Sequence, residues 1–97
     1  MPEIRSFLMP SFDAELVKWD GPAAWYFVEV PAPHAPDFTG AFGRAPVIAV
    51  VDGRTWSTSV WRGGDGRWLL PVPRKIRRDK EDGDLVEVSV TFDTGRV

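Results

Sequence analysis

Leu85–Phe92 reads L-V-E-V-S-V-T-F, and its alternation decides the fold. Val86, Val88, Val90 and Phe92 fall on one side of an extended chain, Glu87, Ser89 and Thr91 on the other, because successive side chains of a strand point to opposite faces. A helix would scatter the same four apolar side chains around its axis. The segment is a half-buried strand. Outward from it, the period of two recurs. Phe12, Ala14 and Leu16 alternate with Ser11, Asp13 and Glu15, and Trp56, Thr58 and Val60 alternate with Thr55, Ser57 and Ser59. Trp25–Val30 (WYFVEV) and Val47–Val51 (VIAVV) are short, near-continuous apolar runs whose β-branched and aromatic content favours buried strands. Arg67–Val72 makes a sixth strand.

The punctuation agrees with this reading. Asp52-Gly53 supplies the positive φ angles of a tight hairpin turn, and Gly63-Gly64-Asp65-Gly66 serves as a second turn. Pro31–Pro36 (PAPHAP) predicts an extended connector, since proline removes ladder donors. Only Pro73–Lys80 reads as a short helix, with proline in its first turn. Six short strands, tight turns and almost no helix predict an all-β fold, a small barrel or a sandwich, formed by residues 1–97 as a single domain, and the barrel is the one expected. Phe12, Leu16, Val28, Val30, Ile48, Val50, Val86, Val88 and Val90 are the expected interior.

With 97 residues, there is room for one modest core. The apolar fraction of 43%, with five Trp and six Phe, is that of a folded chain and not of a disordered one. Cysteine is absent, which removes disulfides, thiolate nucleophiles and thiolate metal sites, and makes a reducing cytoplasm the expected location. The first ten residues hold no run apolar enough for a signal sequence, and nothing approaches a membrane span. Asn and Gln are missing and arginine (nine) outnumbers lysine (three), a bias that a GC-rich genome explains. The net charge is −2, but residues 1–53 hold three basic and seven acidic side chains, against nine and seven in residues 54–97. A local basic surface is compatible with that distribution.

An ordered set of short motifs runs through the chain: W-x-x-V-x-V-P (Trp25, Val28, Val30, Pro31), F-G-R (Phe42, Gly43, Arg44), P-V (Pro46, Val47) and D-G (Asp52, Gly53). L-P-V-P-R-K-I-R-R (Leu70–Arg78) and G-D-x-V-x-V (Gly83, Asp84, Val86, Val88) complete it. Together they resemble the bacterial and archaeal DUF1905 family, a domain of unknown function. The resemblance implies a double-split β-barrel, the architecture also used by the AbrB/MazE/MraZ regulators, and frequent fusion to YdeI/OmpD-associated-like domains. It implies no reaction. The run from Val72 to Val88 is also similar to the AbrB-type pattern of strand, proline, short basic helix, Gly-Asp and strand, in which arginines around the helix contact DNA.

Three features are candidates for function. The basic cluster Arg74, Lys75, Arg77, Arg78 and Lys80 suits phosphate or carboxylate oxygens; the alternative is a solvated face paired with Asp79, Glu81 and Asp82. Trp61 falls on the face opposite to Trp56, Thr58 and Val60, where it would be a contact or stacking residue. Glu29, an acid within an apolar strand, is either a buried base beside a Trp-lined pocket or a solvent-facing partner for an arginine such as Arg44. His34 is the sole histidine. It is expected on an exposed loop, with no nucleophile context or companion ligands to make a triad or a metal site. The expectation is a non-catalytic binding module without cofactor or metal, using Arg44, Arg74, Lys75, Arg77, Arg78 and Trp61. Its partner would be a protein or weakly held nucleic acid and not a membrane, and the domain would be a monomer or homodimer. An AbrB-like nucleic-acid regulator and a small-ligand or enzymatic barrel are the alternatives.

Overall fold

The computed structural model describes residues 11–19, 25–35 and 43–93; Pro36, Phe42 and the N-terminal ten residues of the sequence reading lie outside these. The strands are β1 (Phe12–Glu15), β2 (Val17–Lys18), β3 (Tyr26–Val30), β4 (Arg44–Val51), β5 (Arg54–Arg62), β6 (Trp68–Pro71) and β7 (Leu85–Phe92). They form one antiparallel sheet in the order β1-β7-β4-β5-β6-β3-β2, curled into a nearly closed barrel.

Closure depends on one bend. β1 pairs with β7 (Phe12↔Val88, Ala14↔Val86), and β2 pairs with β3 at the opposite edge (Val17↔Phe27). One stretch of chain thus joins both ends of the sheet, which is why seven strands appear where alternation predicts six. Leu16, at the bend, donates its N–H to the Asp84 carbonyl at 2.8 Å and accepts from the Gly83 N–H at 2.8 Å. With its main chain satisfied by this loop, its side chain is fully buried.

At the hairpin between β4 and β5, Asp52 and Gly53 take φ of 49° and 83°, as a two-residue turn matched to strand twist requires. The register that follows corrects the expected core. Val51 lies opposite Val88, and Ala49 opposite Val90. Opposed residues share a face, so Ala45, Val47, Ala49 and Val51 point inward, whereas Ile48 and Val50 are only half-buried on the outer face. Leu16, Val28, Val30, Val86 and Val88 are buried as expected, with Val60, Leu70 and Val72; Phe12 and Val90 pack against this core while partly exposed. Pro46 sits in a central strand because β7 pairs with β4 only from Val47 onward, so no ladder bond needs its missing N–H.

The helix is one turn, α1 (Arg74–Arg77), shorter than Pro73–Lys80: Pro73 is its N-cap and Arg78 leaves it with φ of 55°. Ile76 is its single buried residue; the polar residues beyond have no apolar position to bury, and so short a helix needs packing to persist. Arg54 Nη1 secures the turn on the Ile76 carbonyl at 2.9 Å. The expected extended connector contains a 3-10 turn at Ala32–His34. His34 is half-buried and not exposed, because its ring packs on Phe12, centroids 4.6 Å apart.

Candidate functional site: an aromatic, basic groove at the barrel opening

β6 pairs with β3 along its whole length (Trp68↔Val30 to Pro71↔Phe27) but with β5 only at Trp61↔Leu69 and Arg62↔Trp68. Beyond Leu69 the two strands diverge, and the space between them is a groove of about 670 Å³. Trp56, Thr58 and Trp61 form the β5 wall; Tyr26 and Trp25 stand on the β3 side; Pro71 to Arg74 and Arg77 form the far wall. Trp61 is 43% exposed, in keeping with its outward parity, yet it borders the same groove as the inward Trp56 because the opening cuts through the sheet.

Helical geometry divides the basic cluster. Residues three apart share a helix face, so Arg74 and Arg77 line the groove, while Lys75 and Arg78 are exposed without reaching it. The Arg77 guanidinium lies 3.8 Å from the Tyr26 ring centroid and donates from Nη1 to the Val72 carbonyl at 3.3 Å. Arg44, the cross-strand neighbour of Trp61, stands 5.3 Å over its ring. Such stacking fixes a guanidinium while leaving most of its N–H donors for another acceptor. Lys80 turns away, Nζ donating to the Leu85 carbonyl at 3.2 Å.

The alternative pairing of this cluster with Asp79, Glu81 and Asp82 is not among the ion pairs of the described residues. Two acids beyond the helix hold main chain instead: Asp82 Oδ1 accepts the Lys18 N–H of β2 at 3.0 Å, and Asp84 Oδ2 accepts the Glu81 N–H of its own loop at 2.8 Å. Among the described residues, the ion pairs join Arg67 to Glu29 at 3.2 Å and to Asp65 at 2.6 Å. Among the described residues no carboxylate lines the groove, and the charges that do, Arg74 and Arg77, are positive.

Glu29 resolves to its solvent-facing alternative, with a different partner. It points outward from β3, half-exposed, and pairs with Arg67 instead of Arg44. The Trp-lined cavity is therefore not around Glu29. Glu29 borders a smaller outer groove of about 340 Å³ with Asp13, Phe27 and Arg67. The Arg67 N–H at 3.1 Å and its Nε at 2.6 Å hold the Asp65 carboxyl below its ordinary value of 3.8.

The sequence reading grouped Arg44, Arg74, Arg77 and Trp61 with Lys75 and Arg78, which stand off the groove, and it missed Tyr26 as a groove residue. Among the described residues, no set of three or more His, Cys, Asp or Glu is arranged to hold a metal ion, and no helix is long and apolar enough to cross a membrane.

The fold and groove define a small antiparallel β-barrel with an aromatic, basic opening. The chain belongs to the family described as Domain of unknown function (DUF1905), whose sequence profile matches residues 12–90, from the first strand into the last. No curated protein matches the chain.

Proposed function

We propose that the domain is a non-catalytic binding module that captures an anionic partner bearing apolar or aromatic groups in the groove between β5 and β6. The observation that carries this reading is a cavity walled by indole and phenol rings and lined by Arg74 and Arg77, with Arg44 over the Trp61 ring and, among the described residues, no carboxylate in the lining. Apolar walls with a few convergent polar groups are the usual make-up of ligand sites. The described lining of the groove holds two arginines and a tyrosine and no carboxylate, histidine or cysteine; binding fits this inventory better than acid–base catalysis. His34 lies against Phe12 and outside the groove lining. A cysteine-free chain of this kind fits a cytoplasmic setting.

The nucleic-acid reading draws on the same arginines together with Trp61, and adds Lys75 and Arg78 on the outer side of α1. The two readings separate in one titration. Anilinonaphthalene sulfonate, an aromatic anion, is expected to quench tryptophan emission. Arg74→Gln/Arg77→Gln should weaken it at least about tenfold, since a hydrogen bond to a charged group contributes about 1.5–3 kcal/mol. Lys75→Gln/Arg78→Gln should leave it unchanged. Equal affinity for the parent and the groove variant would refute the site. A single-stranded oligonucleotide that binds with a log–log salt slope near −0.7 per phosphate contact, and is weakened by both double variants, would put the nucleic-acid reading first.

A further inference from the structure

The β5 strand that contributes Trp56, Thr58 and Trp61 to the groove also has an edge on the β6 side, and the pairing pattern shows which residues' main chain it presents. The Asp93 N–H donates to the Pro46 carbonyl at 3.0 Å and the Asp52 N–H to the Glu87 carbonyl at 2.9 Å. The even-numbered residues of β4 therefore turn their main-chain groups toward β7. Antiparallel strands exchange bonds at alternate residues, so Ala45, Val47, Ala49 and Val51 turn theirs toward their β5 partners Val60, Thr58, Trp56 and Arg54. The remaining residues of β5 in this span, Thr55, Ser57 and Ser59, present N–H and C=O to the opposite edge. There β6 pairs only from Trp61 onward, and among the described residues no other strand pairs with that edge.

Three successive donor–acceptor sets thus lie along the β5 edge that adjoins the groove walls Trp56, Thr58 and Trp61, roughly 7 Å apart at the usual rise of a strand. Such an edge is a template for another strand, and proteins that avoid pairing there place lysine, proline or a bulge on it. This edge carries threonine and serines instead. Its flanking cations, Arg44 and Arg74, are exposed and unpaired by any acid among the described residues.

We propose, resting on the groove reading above, that the partner is an acidic polypeptide segment that binds extended and adds to β5 as a strand. Its main chain pairs with Thr55, Ser57 and Ser59. Alternate apolar side chains enter the cavity against Trp56 and Tyr26, and its carboxylates stay at the rim with Arg44 and Arg74. This is strand addition: main-chain bonds supply affinity and alternate pockets supply selectivity. A small aromatic anion would use the rings and arginines without needing the edge.

The test is amide hydrogen exchange, followed by NMR on the full chain. Three probes are compared: the acetylated heptapeptide Glu-Val-Glu-Phe-Glu-Val-Glu, the same peptide N-methylated at alternate amides, and anilinonaphthalene sulfonate. With the peptide at tenfold its dissociation constant, exchange at Thr55, Ser57 and Ser59 should slow by about tenfold. The N-methylated peptide should neither bind nor protect, and the sulfonate should shift groove resonances without protecting these amides. Sulfonate binding with no peptide protection, or equal binding of both peptides, overturns strand addition and leaves the groove reading standing. Failure of every probe to perturb the groove overturns both. Full protection of the three amides in the free domain shows that the edge is already filled, and also overturns the proposal.

Discussion

Replacing Val88 with aspartate puts the architecture under direct load. Val88 is fully buried and lies opposite Phe12 on one neighbouring strand and Val51 on the other, so no cation or donor side chain opposes it in either ladder. Losing the buried valine forfeits about 1.5–3 kcal/mol. The new carboxyl either stays charged without a partner or takes up a proton at neutral pH; a pKa raised by roughly 3 units costs about 4 kcal/mol. The sum, about 5–7 kcal/mol, is comparable to the roughly 5–15 kcal/mol available to a domain. The sign with pH follows from the same shift. Between the two pKa values the folded state holds more protons than the unfolded one, so stability falls as pH rises. Val88→Asp should therefore be less destabilised near pH 4 than near pH 8. Urea and thermal melts followed by circular dichroism measure this, with exposed Thr91→Asp as the control, expected within about 0.5 kcal/mol of the parent. A Val88→Asp domain melting cooperatively within a few degrees of the parent at pH 8 would refute the strand facing on which the barrel rests.

Further outcomes follow from the same structure. Val51→Asp should unfold the domain much as Val88→Asp does, whereas Val50→Asp on the half-buried outer face should be milder; the reverse order in urea melts would restore the opposite facing of β4. Ile76→Ala removes the one buried anchor of α1 and should cost about 2–4 kcal/mol, lowering the melting temperature by roughly 10–25 °C. An unchanged melt would show that the helix does not seat the arginines. Asp65 should titrate below 3.8 by carboxyl NMR, because its folded pKa is depressed by the Arg67 N–H groups. Any stability it contributes is present above the unfolded value and lost as pH falls through the folded one. Arg67→Ala should return the midpoint toward the ordinary value, and a midpoint that stays put would contradict the pairing.

The parts of the fold legible in sequence are those where local pattern and tertiary demand coincide. In Leu85–Phe92 the polar residues mark the outer face, and in Asp52-Gly53 the turn chemistry marks the hairpin. In VIAVV every residue is apolar, so period alone carries no facing; the register against β7 decides it, and that register is a long-range fact. The groove was half legible. Strand parity put Trp61 outside, but the basic cluster read as one undivided patch, and only the helix turn separates Arg74 and Arg77 from Lys75 and Arg78. The cavity between Trp61 and Arg74 exists because β5 and β6 diverge, which no residue of β5 announces. A signal was available in Pro71 and Pro73: residues without N–H groups argue against a strand laddered on both edges. Glu29 left two readings open because its neighbours Val28 and Val30 are core residues; alternation places it on the outer face, where it lies, and only the identity of its arginine, Arg67 and not Arg44, needed the structure.

The groove claim is tested most directly by the five indole N–H resonances, titrated with anilinonaphthalene sulfonate in two-dimensional NMR. Trp25, Trp56 and Trp61 border the groove. Trp68 is buried in the core, and Trp19 packs edge-on against Phe27, itself on the outer groove. Saturable shifts are expected at Trp56, Trp61 and Trp25, with little movement at Trp68 and Trp19, and loss of those shifts in Arg74→Gln/Arg77→Gln. Shifts centred on Trp19, or a response that survives the double substitution unchanged, would contradict the groove claim.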